Sequence, residues 1–347
     1  MAISYRSRRF FRRLAIFILS VVLLAALLAV CWFLWLDRYV IYTSDGAKLD
    51  FDLSLEFPEG QAAQRPTPGE TVQIYYPEDE VTTVPTEPET NEMPLLDGFY
   101  ITFEMLRDTG IDAIKAQIAE MSAHVPIMLD VKIIKGEFLY SSVNGHNTDK
   151  LNLQEMDDLI AYLSNRGHYL IARMPAFRDY WFGLYNVALG LQKVDGRVSL
   201  WMDEARCYWL DPAKEGNITR IAQIVVELRA LGFDEVMFFD FRYPDTDQII
   251  ITGGEPADNL QAAAEALVAA CSSETFTVSF TTTDPNFKLP DGRCRLYLEN
   301  VAAADIAWLM NSYGLGEEYT KVVFLTTSED TRYREYSILQ PFGAQYQ

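Results

Sequence analysis

The stretch that decides the fold is Phe233 to Pro244, with the sequence FDEVMFFDFRYP. Its centre, Val236 to Phe239, is a short apolar run that leads directly into two charged residues, Asp240 and Arg242. Such a run, bounded by turn residues, is typical of a strand buried on both faces of a parallel sheet. The charges then mark the end of the strand, which is where α/β enzymes place their chemistry. An ion pair that only ends the strand is the structural alternative.

Units of a strand followed by a helix repeat from Leu96 onward. Asn152, with Glu155 three residues later, predicts the start of one helix, and Asp211-Pro212 predicts the start of another. Strands are predicted at seven places: Gly98–Thr102, Pro126–Val131, His168–Arg173, Val236–Phe239, Phe276–Phe280, Arg295–Leu298 and Val322–Leu325.

This alternation predicts an α/β fold, because strands joined by right-handed helical crossovers form a parallel sheet. About 250 residues are available from Leu96 onward, enough for a TIM-like (β/α)8 barrel. Only seven strands are recognisable, which leaves open a barrel that is incomplete or degenerate in its C-terminal half. A doubly wound open sheet is the alternative, although neither G-x-G-x-x-G nor G-x-x-x-x-G-K-[ST] occurs to support nucleotide binding.

Residues 14–36 form an apolar run of 23 residues in which only Ser20 is clearly polar. A helix of this length crosses a hydrocarbon layer of about 30 Å. Every Lys and Arg of the first 36 residues lies in the basic tail, residues 1–13, which predicts a cytoplasmic N-terminus. The run exceeds the apolar part of a cleaved signal peptide, about 7–15 residues, so we predict a transmembrane helix in the lipid bilayer. A lipidated Cys31 is disfavoured because apolar residues continue beyond it.

The chain between this helix and the barrel divides into two segments. Residues 37–57 are β-prone, with a hairpin signal at Ser44-Asp45-Gly46. Residues 58–95 are rich in Pro, Thr and Glu, a composition typical of an extended linker. We therefore predict an extracytoplasmic barrel over residues 96–347, held at the cell membrane by a single span.

Composition excludes several classes of function. The chain has 29 basic and 49 acidic residues and a net charge of −20, which disfavours nucleic acid as a partner. The three histidines lack the spacing of metal ligands, and H-E-x-x-H and G-x-S-x-G are absent, so neither a metal nor a cofactor is predicted. The four cysteines are far apart, which leaves at most one disulfide, among Cys207, Cys271 and Cys294.

Charged residues gather at the C-terminal ends of the predicted strands, which a barrel brings to one mouth. Two carboxylates facing each other across a substrate can cleave a glycosidic bond, one as the acid and the other as nucleophile or base. Asp240, kept ionised by Arg242 or Arg173, suits the second role. Glu299 or Asp284 is the candidate acid, and the residues alone do not choose between them. Asp130 and Lys132 complete the set of charged strand ends.

The segment between the third and fourth strands is rich in aromatic residues that could stack on sugar rings. Trp181, Trp201 and Trp209 are the candidates, with ordinary packing as the alternative. Asp211 lies in the same segment, where a helix cap is the favoured interpretation.

Four stretches in this order resemble a known family: IMLDVKIIKGEFLYSS, GHYLIARMPAFRDYWFGLYNVAL, WLDPAKEGN and LGFDEVMFFDFRYP. They are similar to the putative glycosyl hydrolase domain DUF4015, a TIM-barrel family, from Gly98 to about Pro244. The resemblance implies a carbohydrate substrate. The family's usual F-D-Y-I-R-F-P is one residue shorter here, which changes where Arg242 points. The site residues that the resemblance implies are Asp130, Lys132, Arg173, Asp179, Asp211, Asp240 and Arg242.

The sequence thus predicts a membrane-anchored glycoside hydrolase that acts on cell-envelope or extracellular polysaccharide by two-carboxylate chemistry. A catalytically inactive barrel that binds carbohydrate or serves as an envelope scaffold is the alternative.

Overall fold

The computed structural model describes residues 40–43, 46–49, 93–194 and 199–343, and the chain divides into two compact units, Met1–Thr83 and Val84–Gln347. In the first unit Val40–Thr43 pairs antiparallel with Gly46–Leu49, on either side of the predicted turn. The basic tail, the predicted transmembrane helix and the linker as far as residue 92 lie outside the described residues. No helix within the described ranges is both long and apolar enough to span a membrane.

The second unit contains a closed barrel of eight parallel strands, which confirms the predicted barrel and excludes the open sheet. Each strand pairs with the next along the chain, and the last pairs with the first. The strands are β1 (Asp97–Ile101), β2 (Ile127–Asp130), β3 (Leu170–Pro175), β4 (Glu235–Phe239), β5 (Thr277–Thr281), β6 (Cys294–Glu299), β7 (Val322–Leu325) and β8 (Ser337–Pro341).

Helices surround the barrel, and their buried faces pack on the outward side chains of the strands. The helices are α1 (Phe103–Thr109), α2 (Ile111–Ala119), α3 (Leu153–Asn165), α4 (Tyr180–Tyr185), α5 (Glu215–Ala230), α6 (Pro256–Cys271) and α7 (Ile306–Ser312). Short strand pairs in the loops join Glu137–Phe138 to His146–Asn147 and Gln192–Lys193 to Ile249–Ile250.

The incomplete barrel that the sequence left open is excluded, because β8 supplies the eighth strand. Its sequence, SILQP, contains two polar residues and ends in proline, so it shows no apolar run. The chain also reaches β8 through a single 3₁₀ turn, Thr331–Tyr333, and not through a longer helix. Buried Leu339 fills the barrel, and Ser337 Oγ accepts a hydrogen bond from the amide of Leu96 at 2.9 Å.

The predicted helix starts have different outcomes. Asn152 is the N-cap of α3, as predicted, and its side chain accepts from the amide of Gln154. The prediction that Asp211 caps the next helix is wrong, because α5 begins at Glu215. The carboxylate of Asp211 is buried and instead accepts hydrogen bonds from the amide of Ala213 and the hydroxyls of Tyr243 and Thr252.

A fully buried ion pair between Glu235 and Arg295 lies at the N-terminal end of the barrel interior. Arg295 also donates to the carbonyl oxygens of Pro94 at 2.5 Å and Thr320 at 2.8 Å. The guanidinium thus joins β4, β6 and the residue at which the chain enters the barrel.

Three hydroxyl groups also donate hydrogen bonds to the carboxylate of Glu235. Ser279 donates at 2.6 Å, Tyr297 at 2.8 Å and Tyr169 at 2.9 Å. Burial, reinforced by the negative charge of Glu235, raises the pKa of both phenols, so they remain protonated donors. Cys207, Cys271 and Cys294 are buried free thiols, so the disulfide that the sequence left open does not form among them.

Candidate active site at the mouth of the barrel

A cleft of about 410 Å³ opens at the C-terminal ends of β3 to β6. Four charged residues predicted from the sequence lie on its wall: Arg173, Asp240, Arg242 and Glu299. Arg173 and Glu299 also line a neighbouring cleft of about 180 Å³ beside Tyr100. The remaining lining of the larger cleft includes Phe239, Thr281, Thr282, Thr283, Tyr297, Val301, Leu309 and Tyr313.

Asp240 leaves the end of β4 in an unusual backbone conformation. Its φ is +50°, in the left-handed region that Asp and Asn adopt more readily than most residues other than glycine. One carboxylate oxygen accepts from Arg178 Nη1 at 3.0 Å, and the other lies 3.5 Å from Arg242 Nη2. The side chain is 16% exposed. Asp240 is therefore held between two cations with part of its carboxylate open to the cleft.

Arg178 is the cation that sequence reasoning missed. It bridges Asp203, at 2.6 Å, and Asp240, and it lies over the ring of Trp209 at 5.3 Å. From the sequence, this compensating role is predicted for Arg242 or Arg173. Arg178 follows β3, within F-R-D, but it lies beyond the apolar run of that strand. Nothing in the sequence pattern indicated that its side chain would contact Asp240 at the end of β4.

The indole of Trp209 fixes the far end of this network. Burial by itself raises the pKa of Asp203. Hydrogen bonds from the Cys207 amide and the Trp209 indole, together with Arg178, hold that pKa below its usual value. Asp203 is thus an ionised anchor that orients Arg178 toward Asp240.

Arg173 stands between two acidic groups. Its Nη1 donates to Asp130 at 2.8 Å, its Nη2 lies 3.8 Å from Glu299, and its guanidinium covers the Phe239 ring at 4.3 Å. Glu299 is the more open carboxylate, with 41% of its side chain exposed. Burial raises the pKa of nearby Tyr100. The negative charge of Glu299 adds to this shift, and the positive charge of Arg173 opposes it.

Asp130 lies behind Arg173 and does not line the cleft. It is buried and accepts a second hydrogen bond, from the amide of Phe103 at 2.8 Å. Burial raises its pKa, while Arg173 and the Phe103 amide oppose that shift. Its position indicates that it orients Arg173, whose other side faces the open cleft.

Several predicted site residues lie away from this cleft. Asp284 accepts hydrogen bonds from the amide and side chain of Asn286 within its own loop. Lys132 and Asp179 form a buried ion pair at 2.5 Å that ties the loop after β2 to the N-terminus of α4. Asp211 is buried among its own partners, as described above. These residues hold loops in place and are not brought to the mouth.

The three tryptophans also separate. Trp209 is buried behind Arg178 and Arg242, which both lie over its ring, and Trp201 is half-buried against the core. Trp181 lines a different cleft, of about 640 Å³, between the loop after β2 and α4. None of the three is among the residues that line the mouth cleft.

This second cleft has a wall fixed by Glu227, which reaches from α5 to the loop after β2. Glu227 accepts hydrogen bonds from Tyr140 at 2.8 Å, Ser142 at 2.6 Å, Asn144 at 3.0 Å and the amide of Val143 at 2.8 Å. Burial alone raises the pKa of Glu227, but these hydrogen bonds outweigh it and hold the pKa below 4.5. The loop is therefore fixed while Glu227 is ionised.

We expect Glu227→Gln to destabilise the barrel in a pH-dependent manner. Because the folded pKa lies below the unfolded value, the ionised group stabilises fully above about pH 4.5, and this contribution is lost as pH falls through the folded pKa. Above pH 5 the Tm of the variant should be lower by about 2–4 °C, or about 1 kcal/mol in a domain of this size. Thermal unfolding measured from pH 7 to pH 3 should show the difference shrinking. A constant difference, or an equal loss in the control Glu274→Gln at an exposed turn, would contradict this assignment.

The described residues provide no group of three His, Cys, Asp or Glu side chains arranged to hold a metal ion. Two carboxylates lie at the mouth, Asp240 with Arg178 and Arg242 beside it and Glu299 with Arg173 beside it. Two carboxylates on opposite sides of a bound molecule are the groups that cleavage of a glycosidic bond requires.

Solved structures similar to this chain differ from it widely in sequence. A hypothetical protein from Ruminiclostridium thermocellum ATCC 27405 matches 53% of this chain and 96% of its own, with 19% identity and a TM-score of 0.45. A GH20 exo-β-N-acetylglucosaminidase from Vibrio harveyi matches 71% of this chain and 50% of its own, with 8% identity and a TM-score of 0.49. An α-galactosidase from Thermus thermophilus matches 65% and 47%, with 14% identity and a TM-score of 0.40.

This chain thus spans about half the length of these two enzymes. A search of curated proteins found no match. The sequence profile of DUF4015, described as "Putative glycosyl hydrolase domain", matches residues 98–276, just over half of the chain. That range includes β1 to β4 with Asp130, Arg173, Arg178 and Asp240, and it confirms the resemblance seen in the sequence. The chain therefore belongs to the DUF4015 family of glycosyl-hydrolase-like domains.

Proposed function

We propose that this protein is a glycoside hydrolase in which Asp240 and Glu299 are the two reacting carboxylates. The observation that carries the proposal is their presence on the wall of one cleft at the C-terminal mouth of the barrel. Active sites of TIM-barrel enzymes lie at this end of the strands. Membership in a family described as glycosyl hydrolases supports the same class of reaction.

The surroundings of the two carboxylates support a different role for each. Asp240 accepts from Arg178 and lies beside Arg242, so it suits the role of nucleophile or base. Among the described residues, Arg173 is the one cationic side chain within 4 Å of Glu299, at 3.8 Å, and Glu299 is the more exposed of the two carboxylates. It is suited to exchange a proton with the leaving oxygen of a glycosidic bond. Arg173, bonded to Asp130, places a positive charge beside Glu299.

The proposed substrate is a polysaccharide of the cell envelope or the extracellular medium. This part of the proposal rests on the sequence: residues 14–36 anchor the chain in a membrane, and the basic tail stays in the cytoplasm. Protease added to intact cells should then degrade residues 96–347. Protection of that region would place the barrel inside the cell.

Glu299→Gln tests the role of the acid. With the full chain in detergent, the variant should hydrolyse natural glycans about 100-fold more slowly, because the leaving oxygen is no longer protonated. It should retain most of its activity on an aryl glycoside with an acidic phenol, which leaves without protonation. Rates on the two substrates therefore separate a lost acid from a damaged fold. If Asp284→Asn gave this pattern and Glu299→Gln did not, Asp284 would be the acid.

A carbohydrate-binding barrel without turnover is the second candidate. The observation in its favour is that cations lie against both oxygens of Asp240, as in an ion pair that only shapes a pocket. No hydrolysis of any glycan by the wild type, together with glycan binding that survives Asp240→Asn, would support this candidate.

A further inference from the structure

The second cleft contains an arginine, Arg220, that has no carboxylate within 4 Å among the described residues. Two acidic groups, Asp179 and Glu227, act on it from farther away, but Asp179 is already paired with Lys132 and Glu227 with the donors of residues 140–144. Arg173, Arg178, Arg242 and Arg295 each have a carboxylate within 4 Å. Arg220, on the second turn of α5, lines the cleft, and within residues 93–194 and 199–343 it forms no ion pair. Its Nη1 donates to the side-chain oxygen of Asn144 at 3.1 Å, and its Nε has no partner. A cation in this state is complementary to a carboxylate, which a guanidinium binds through two parallel hydrogen bonds.

Aromatic rings form the wall beside this arginine. Trp181 packs on His146 with ring centroids 4.5 Å apart, and Tyr185 stacks beside Trp181 at 6.3 Å with an interplanar angle of 15°. Tyr185 is 75% exposed, so most of its ring is open to solvent. Rings of this kind offer apolar faces and edges against which the C–H groups of a sugar can pack. An aromatic wall and an unpaired cation in one cleft suit a charged sugar better than either a simple anion or a neutral glycan.

The cleft is also held open before any ligand arrives. The four hydrogen bonds of Glu227 fix residues 140–144, and a Cβ at Gly145 would lie 2.9 Å from the Phe138 ring and 3.1 Å from Arg220 Nη2. A larger residue would press on the buried Phe138 ring, so glycine favours this close approach of the loop. A preformed site loses less entropy on binding than one that must assemble.

We propose that this second cleft binds a sugar residue bearing a carboxylate, of the uronic acid type, with Arg220 pairing with the carboxylate and Trp181 and Tyr185 packing against the ring. The site is separate from the mouth cleft, and no residue lines both. It goes beyond the proposed hydrolysis, because it would hold an acidic polysaccharide at a point where no bond is cleaved.

Calorimetric titration of the full chain in detergent tests the proposal with matched ligands. The probes are trisaccharides of galacturonic acid and of glucuronic acid, each paired with the trisaccharide of the corresponding neutral sugar, and acetate. We expect at least one acidic trisaccharide to bind about 10- to 100-fold more tightly than its neutral counterpart, as charge-assisted hydrogen bonds predict. Equal binding of acidic and neutral sugars, or acetate binding as tight as that of the sugar, would overturn the proposal.

Variants locate the binding. Arg220→Gln should remove the preference for the acidic sugar. Arg220→Lys should retain part of it, because lysine keeps the positive charge but cannot form the two parallel hydrogen bonds of a guanidinium. Tyr185→Ala changes an exposed side chain and should weaken binding without affecting thermal unfolding. The control Arg229→Gln, on the exposed face of the same helix, should bind as the wild type does. Full affinity in both Arg220→Gln and Tyr185→Ala would exclude this cleft.

The outcome is distinguishable from that of the proposed hydrolysis. Asp240→Asn should bind the acidic trisaccharide normally, since Asp240 lines only the mouth cleft. Binding that is lost in Asp240→Asn would place the ligand at the mouth and overturn the second site.

Discussion

Asp240→Asn is expected to lower kcat/KM for glycan hydrolysis by about 10²–10⁴-fold, because it removes the negative charge that the reaction requires opposite Glu299. Unlike Glu299→Gln, it should be equally inactive on an aryl glycoside with a good leaving group. The amide occupies the same volume and accepts the φ of +50° at this position, so the barrel should remain folded. Rates on both substrates, with the Tm of each variant, measure the effect.

Two further variants make this result interpretable. Asp245→Asn changes an exposed aspartate in the same loop and should leave kcat/KM unchanged. Asp240→Ala removes the carboxylate but also places a residue less tolerant of positive φ at the end of β4, so a drop in Tm is expected as well. If Asp240→Asn retained more than about a tenth of the wild-type rate, Asp240 would be neither nucleophile nor base.

Arg295→Met is expected to destabilise the barrel by about 3–5 kcal/mol, the largest effect on stability that we predict. The substitution leaves Glu235 as a buried charge without its cation, and the carbonyls of Pro94 and Thr320 without a donor. The free energy of unfolding, measured by urea titration, should show the loss. A cost below about 1 kcal/mol would mean that the pair contributes little to the fold.

A second substitution, at Glu235, separates the effect of the uncompensated charge from the effect of lost packing. In Glu235→Gln/Arg295→Met no uncompensated charge remains, so the double variant should be more stable than Arg295→Met alone. Arg107→Met, which breaks the exposed ion pair with Asp108, should leave the free energy of unfolding nearly unchanged. A double variant no more stable than Arg295→Met would show that loss of packing and of the carbonyl hydrogen bonds dominates.

The barrel was predictable because its strands carry apolar runs that end in charged or turn residues. The runs in β2, β4 and β7 identify these strands directly. β8 was not predictable in this way, since its inward side is built from Ser337 and Leu339 and its role depends on meeting β1. A strand whose register is set mainly by its partners leaves little trace in the local sequence.

The site was predictable to the extent that it follows strand ends. Arg173, Asp240 and Glu299 were found because each ends or follows an apolar run, and a barrel brings such positions together. Lys132 follows β2 in the same manner but lies to the side, where it pairs with Asp179. Arg178 was missed because its contact with Asp240 crosses between two loops whose paths the sequence does not encode locally. Pairings between loops depend on tertiary packing, which periodicity cannot report.

Closure of the barrel between β1 and β8 has a consequence for synthesis of the chain. The amide of Leu96 is bonded to Ser337, 241 residues later, and Pro94 to Arg295, 201 residues later. A ribosome therefore releases the first strand long before its outer partner exists, and until then β1 has an open edge that could pair with another chain. Completion of the native barrel must await synthesis of β8, so this strand determines when the barrel can close. A truncation just before β8 should consequently yield aggregated chains and not a slightly weakened barrel.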